Sequence, residues 1–396
     1  MTFYRTTRLM LPGVAFLSLA GSAFALDGND LLAKINAAYS QQGGALAAES
    51  VDIEDATVTL KGASFKPNGD GEALKIGDIT LSGVEKQDDG GYYIEEAAFP
   101  NINTTNDGVT MTAEDMTVGD VWVPADPKAE GVDGMLIYQT AHVGAVKAVK
   151  DGAEVFSVSD TDINMTLRDD QSGFDFDAAL KGVKADLSKA EDDKSKDAIE
   201  KLALQHVTAD VTMKGAWDLA PGTINIPEFA IDVNNVGKLK LGLNISGYTL
   251  QFQKSMQDAI KASAASLDKS EGQQALGLSM LGLLQQLSFS GAEIRFEDAS
   301  ITKRALDYAG AQQGMSGKQL ADSLKAMAPI MLSQVNIPAL QNAVSAAVST
   351  YLDDPKSLTV SAKPEKPVPL PMIVGAAMGD ATTLPQVIGL KVSAND

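Results

Sequence analysis

The chain has no cysteine and only two histidines, His142 and His206, among its 396 residues. Zinc and copper sites draw on Cys and His at short spacings, so almost no candidate ligands exist for either metal, and no cofactor is expected. His142 lies in Thr140-Ala141-His142-Val143, and His206 falls between a helical and a strand-like stretch. Each reads as a boundary residue whose ring finds a local partner. The serine motifs fail on spacing. Gly277 to Gly282 (GLSMLG) has one residue too many after Ser279 for a nucleophile elbow, and it lies on a helical stripe. Gly314 to Gln319 (GMSGKQ) mimics the end of a phosphate loop. There Gln312 replaces the first glycine and Gln319 the Ser/Thr, so a helix N-terminus is the better reading. Asp160, Asp162 and Asn164 begin like a calcium loop, but Met165 and Gln171 occupy the glycine and glutamate positions. Alternation with Ile163 and Met165 makes those three the wet face of a strand. Asp169, Asp170, Asp175 and Asp177 form a second acidic group that could take calcium adventitiously. Carboxylates are numerous enough for an acid–base pair, which makes a carboxylate-based periplasmic hydrolase the enzymatic alternative. No pair stands out by spacing. Aromatic residues make up 6% of the chain, and Trp122 and Trp217 are far apart, which disfavours a sugar-stacking platform.

Residues 1–25 read as a signal peptide. Arg5 and Arg8 precede the apolar run Leu9 to Ala20, and Ala23-Phe24-Ala25 has the small-x-small form that signal peptidase cuts. The run is short of the ~20 residues a span requires, so a mature chain starting at Leu26 is expected in a bacterial periplasm. Loss of Arg5 and Arg8 leaves 30 basic against 52 acidic residues, a net charge of about −22. Such a surface repels nucleic acid and anionic headgroups. The longest later apolar stretch, Ala275 to Leu287, contains two glycines, a serine and two glutamines and is too short to cross a bilayer. No transmembrane segment is expected in the mature chain.

A short helix from Asn29 to about Gln41 opens the mature chain. Period-two alternation then runs to Tyr248: Val58 and Leu60; Ile79 and Leu81; Ile163, Met165 and Leu167; Val211 and Met213; and best of all Leu239, Leu241, Leu243 and Ile245. Asp/Asn-Gly and Pro-Gly turns recur between these runs. Three segments (from Leu74, Val109 and Thr223) share a strand–break–strand form that is either a repeat or any antiparallel meander. Asp186 to Lys201 is a solvated helix or loop with alternating charges. From Gln251 the period becomes helical. Strands return at Ala292–Glu297, Ser357–Ala362 and Val387–Val392, with Lys363 to Pro371 as a rigid connector. The expected architecture is β-rich α+β. Residues 26–250 form a long twisted antiparallel sheet, a meander of hairpins, and helices of the region 251–396 pack on that same sheet.

With no reactive group singled out, the one-sided apolar face is the remaining feature with functional content. Closed by helices, it is an ordinary core; left open, it is a groove for acyl chains. Leu239, Leu241, Leu243 and Ile245 are the expected floor of such a groove, with Leu283 and Leu287 as a lid. The stretches Thr223–Tyr248 and Leu287–Gly317 resemble exported proteins of alphaproteobacteria that are themselves uncharacterised. Through these they resemble the AsmA/YdgA-like class of periplasmic envelope proteins. The resemblance implies a long antiparallel sheet and a role in cell-envelope upkeep involving lipid, and it implies no catalytic residue. A retained N-terminal anchor, usual in AsmA proteins, is missing, so a membrane-to-membrane bridge is not implied. The expectation is a non-catalytic periplasmic binding or scaffolding protein with a lipid or acyl-chain ligand, or with envelope proteins as partners.

Overall fold

The structure, a computed structural model, describes residues 26–39, 44–67, 72–189, 192–266, 268–333 and 338–396. The expected leader, residues 1–25, lies outside the described residues. Among these residues, 21 strands join in one antiparallel sheet that does not close on itself. The N-terminal strands are β1 (Gly44–Ala47), β2 (Ser50–Glu54), β3 (Thr57–Pro67), β4 (Leu74–Ser82), β5 (Glu85–Lys86) and β6 (Tyr92–Phe99). Next come β7 (Ile102–Asn106), β8 (Val109–Ala113), β9 (Met116–Val123), β10 (Ile137–Val143), β11 (Val146–Lys150), β12 (Ala153–Val158) and β13 (Asp160–Leu167). Longer strands follow: β14 (Gly173–Asp186), β15 (His206–Asp218), β16 (Thr223–Val233), β17 (Gly237–Ser246) and β18 (Ser288–Asp298). The last are β19 (Ser357–Ala362), β20 (Val368–Pro369) and β21 (Leu390–Ala394). The spatial order of the main sheet is β2-β3-β4-β6-β9-β10-β13-β14-β15-β16-β17-β18-β19-β21, with β1 beside β2 on the same flank of β3. The edges carry Asp52 and Glu54 on β2 and Lys391 on β21, charges that oppose edge-to-edge pairing.

The middle strands are bent along a common crease. β8 breaks into β9 at Glu114 and Asp115, β10 into β11 at Gly144, and β12 into β13 at Ser159, while β14 bulges at Gly182. The breaks face one another: Gly144 N–H donates to Glu114 O at 3.0 Å, and Ser159 N–H to Lys181 O at 3.0 Å. Gly182 adopts φ +60, which a side-chain-bearing residue tolerates poorly, and its N–H is held by Asp210 Oδ1 at 2.7 Å. β3 repeats the device. Gly62 at φ +54 donates to Asp78 Oδ1 at 2.9 Å, and Leu60 and Ala63 on either side both point into the core. The sequences around these bulges are alike: Leu60-Lys61-Gly62-Ala63 and Leu180-Lys181-Gly182-Val183. A third shift in pairing falls at Met213-Lys214-Gly215-Ala216. This short pattern recurs where the sheet must bend. The three longer segments alike in sequence form different structures: a bulged strand, a creased strand and a hairpin.

One helix seals the N-terminal half. In α1 (Gly28–Tyr39), Asp27 caps the first turn by accepting from the N–H groups of Asn29 and Asp30 at 3.1 Å each. Leu31 is 1% exposed and packs with Val58, Leu60, Ile79, Leu81, Tyr92 and Ile94 in the largest core. Tyr92 O–H donates to Asp30 Oδ2 at 2.7 Å, and Asn36 bonds both the N–H and C=O of Leu46 at 2.7 Å. Burial, followed by the Asp30 hydrogen bond, pushes the Tyr92 hydroxyl well above its ordinary range.

The other helices stand at the strand ends. α2 (Asp193–Lys201), α5 (Ile301–Gln312), α6 (Gly317–Ser333) and α7 (Pro338–Asp353) gather where β18 ends and β19 begins. At the opposite end are α3 (Leu250–Ala265), α4 (Lys269–Leu284), α8 (Leu370–Gly379) and α9 (Leu384–Val387). Ser316 begins α6 with a capping box: its Oγ accepts from Gln319 N–H at 3.2 Å, and Gln319 Oε1 accepts from Ser316 N–H at 2.8 Å. The phosphate-loop look-alike is this helix start, and GLSMLG lies inside α4. Two local expectations shift. The connector after Lys363 holds β20 and the start of α8, because Pro371 suits a first helical turn. The last strand starts at Leu390, not Val387, since Gly389 at φ +63 closes the short α9.

Candidate functional site

In β17, alternation puts Leu239, Leu241, Leu243 and Ile245 on one face and Lys238, Lys240 and Asn244 on the other. Residues directly opposite in an antiparallel pair point to the same side, so the register can be followed from strand to strand. From Leu241 it runs one way through Ile294 and Val360 to Val392. The other way it runs through Phe229, Met213, Ala178, Ile163, Ala141, Val118, Ala97, Leu81 and Val58 to Ile53. Every residue on this line is apolar. It crosses fourteen strands, about 60 Å along the sheet at ~4.8 Å per step. Shorter parallel rows widen it on the C-terminal side. One contains Leu180, Val211, Ile231, Leu239, Phe296 and Leu358; another has Ile226, Leu243, Ala292, Ala362 and Leu390. A further row joins Phe174, Trp217, Ile224, Ile245, Phe289 and Val368.

Coverage differs along the line. Val58, Leu81 and Ala97 are buried with Leu31. Ile163 is exposed, as is Leu243 on the neighbouring row, and Ile294, in the middle of β18, keeps 52% of its surface; at the other end of the line Ile53 on the edge strand β2 is exposed as well. The expected floor residues Leu239, Leu241, Leu243 and Ile245 therefore share one apolar face. Leu283 and Leu287 are buried against Phe252, in a cluster with Tyr248, Met256 and Leu370. They wall the β17 end of the face, while the Leu243–Ile294 stretch stays uncovered. Trp217 ties that wall to the floor. Its ring stacks on Phe174 at 6.1 Å and meets Tyr248 at 5.9 Å, and its indole N–H donates to Tyr248 O at 2.8 Å.

The opposite face is charged, and several of its charges are paired. Glu297 takes Lys240 at 2.9 Å and Arg295 at 3.0 Å, which together hold its carboxyl below the usual range. Arg168 spans Asp175 at 2.7 Å and Asp218 at 2.5 Å. Beside the crease, His142 Nδ1 lies 2.8 Å from Asp162 and 3.7 Å from Asp160. These three are the metal-type grouping among the described residues. Lys181 already bonds both carboxylates, at 3.0 and 2.9 Å, so an incoming cation would meet an ammonium group in place. Asp162 is lowered to about 2, first by Lys181 and then by His142. Asp160, Asp162 and Asn164 thus form a wet strand face, as their alternation predicts. Asp175 and Asp177 line a shallow cleft of about 390 Å³ with Phe176, Lys214 and Asn225. Arg168 lowers Asp175. Among the described residues, each carboxyl group with a resolved shift moves downward.

Sequence reasoning found the β17 face but missed the line across the sheet. A line perpendicular to the chain has no local period. The Leu-Lys-Gly repeats that bend the sheet are a sequence signal that marks where it curves.

Residues 230–395 match the model of a protein family described as an uncharacterized protein. The matched stretch holds β17 through β21 and the helices α3 to α9. No curated protein matches the chain. No helix of the described residues is long and apolar enough to cross a membrane.

Proposed function

We propose that the open stretch of the apolar face binds the hydrocarbon chain of a lipid. The protein would then work in the periplasm as a non-catalytic carrier or holder of lipid for the cell envelope. The observation that carries this reading is the unbroken apolar line from Ile163 to Ile294, exposed at both of those residues and half-buried at Ala178, Met213, Phe229 and Leu241 between them. An acyl chain needs a dry continuous track and no hydrogen-bond partner, and here the backbone polar groups are used in the ladders. From Ile163 to Ile294 the line makes five strand steps, about 24 Å, longer than the ~15 Å one chain occupies in half of a ~30 Å bilayer core. The leader-like N-terminus supports an exported address. For the hydrolase alternative, a general acid needs a carboxyl group with a raised pKa, and the resolved shifts run the other way.

Native mass spectrometry on protein purified from its own periplasm tests the reading. Bound lipid is expected, and after delipidation a long-chain fatty acid should rebind. Ile294→Glu, which puts a charge on the floor at an exposed position, should weaken rebinding at least about tenfold with the fold intact. Delipidated wild type that takes up neither fatty acid nor phospholipid would refute it.

A further inference from the structure

The edge of a sheet offers unpaired N–H and C=O groups to any other strand, and most edges here are blunted. On β1, Asn36 occupies both backbone groups of Leu46. β2 carries Asp52 and Glu54, and β21 carries Lys391. The end of β4 that lacks a partner beyond β3 carries Lys75, β5 is Glu85-Lys86, and β20 contains Pro369. β7, on the branch β7-β8-β11-β12 beyond the crease, has none of these devices. Its sequence, Ile102-Asn103-Thr104-Thr105-Asn106, has no charge and no proline, it pairs with β8 without a bulge, and all five residues are exposed.

The hairpin fixes which backbone groups are free. Asp107 and Gly108, at φ +49 and +77, make a two-residue turn, so Asn106 and Val109 exchange hydrogen bonds. By alternation Thr104 does so with Met111, and Ile102 with Ala113. Thr105 and Thr110 are then a close pair without backbone bonds, and their hydroxyls meet at 2.9 Å. The N–H and C=O of Asn103 and Thr105 point away from β8. These four groups face no partner strand among the described residues.

We infer that β7 is an interface between two copies of this chain, paired antiparallel about a two-fold axis at Thr104. Centred there, Asn103 of each copy lies opposite Thr105 of the other. Each of these pairs exchanges two hydrogen bonds, so every free group on both strands is used. Thr104 faces Thr104, a favourable cross-strand pair, and Ile102 faces Asn106. No charge meets its own copy, since Asp107 falls beside Asn101. That matters in a chain of net charge −20, where two copies repel and an uncharged edge is where they meet at least cost. A strand from a basic partner would be matched by carboxylates on the edge, and β7 has none. The blunted edges leave β7 only itself to pair with, which closes the assembly at two.

The pairing also joins the apolar faces. A row runs from Val207 through Ala185, Phe156, Ala148 and Met111 to Thr104. Val207 lies on the same side of β15 as Val211 and Met213, and Phe156 and Met111 are exposed. Residues directly opposite share a side, so the two copies present their apolar faces together on one continuous sheet. The inference goes beyond the acyl-binding reading and does not depend on it.

Sedimentation velocity of the purified protein over a concentration series tests the interface. Wild type should show a weak monomer–dimer equilibrium that strengthens as salt is added, because screening relieves the mutual repulsion. Thr105→Pro removes an outward N–H and leaves the ladder to β8 intact. It should weaken the dimer at least about tenfold with an unchanged circular dichroism spectrum. Thr104→Lys and Thr104→Glu each set like charges face to face and should be monomeric alone; mixed in equal amounts they should form a heterodimer. The chain has no cysteine, so Thr104→Cys supplies a single thiol. Across the two-fold axis its Cα lies ~4.5 Å from its copy, within the span of a disulfide, and oxidation should link the dimer. Asn106→Cys, ~13 Å from its copy, should not cross-link. The Lys, Glu and Cys variants keep the test decisive should the proline version misfold. Wild type that stays monomeric up to about 1 mM at high salt would overturn the interface. So would a dimer that Thr105→Pro leaves unchanged, that Thr104→Cys does not cross-link, or whose Lys and Glu variants do not complement, since the copies then meet elsewhere. A monomeric wild type that loses another protein's strand on Thr105→Pro would assign the edge to that protein and end the two-copy pairing.

Discussion

In the N-terminal half of the sheet Val58, Leu81 and Ala97 lie beneath Leu31 of α1 and are closed off from water. In the C-terminal half Leu241 and Ile294 continue the same row, and Ile294 keeps half of its surface. The side chains are of the same kind and the strands pair in the same way, yet one region is a core and the other is left partly open. Strand chemistry does not make the difference; what crosses over the sheet does. α1 is fastened down by the Tyr92–Asp30 bond and by the two bonds of Asn36 to Leu46. Of the helices after Tyr248, α3 and α4 bury Phe252, Leu283 and Leu287 against one another beyond the start of β18, and α7 packs along the edge strand β21.

The largest test of this contrast is a matched pair of truncations. Leu60→Ala, at a site 1% exposed, should cost about 2–5 kcal/mol of unfolding free energy, whereas Ile294→Ala should cost less than about 1 kcal/mol. Urea unfolding of both variants measures it, and equal losses would mean that the two halves are equally packed. An intermediate effect is expected at the crease. Gly182→Ala would place a Cβ 2.5 Å from Ser159 Oγ at φ +60, a penalty of about 1–2 kcal/mol by the same measurement. A loss within error would show that the bend does not depend on that glycine. The smallest effect is electrostatic. Asp162 sits at about 2 in the folded chain, below the ~3.9 of an unfolded aspartate. Its contribution to stability is therefore complete above about pH 4 and disappears as pH falls toward 2. Its side chain is 37% exposed, so the contribution is small and screened by salt. Lys181→Met should flatten that acid dependence; an unchanged acid limb would assign it to other carboxylates, such as Asp30 under α1.

Much of this molecule could be read from neighbours in the chain. The two faces of β17 follow from Lys238-Leu239-Lys240-Leu241, the start of α6 from Ser316 and Gln319, and the wet face of β13 from Asp160 and Asp162. Each depends on a repeat of two residues or on a cap reaching three residues ahead, and such interactions are local. His142 and Asp162 are brought together by the pairing of β10 with β13, and Lys181, from the next strand, completes the group.

Which apolar residues end up dry was decided only in three dimensions. Leu31 and Ile294 are alike by hydropathy. One is buried because a helix at the start of the described chain lies on strands reaching as far as Val123, and the other is open because, among the described residues, no comparable helix packs on β18. A period of two assigns a side chain to one face of a sheet. Coverage of that face is set by contacts between elements distant in sequence, and register carries the row from Ile53 to Val392 through hydrogen bonds that no single strand contains.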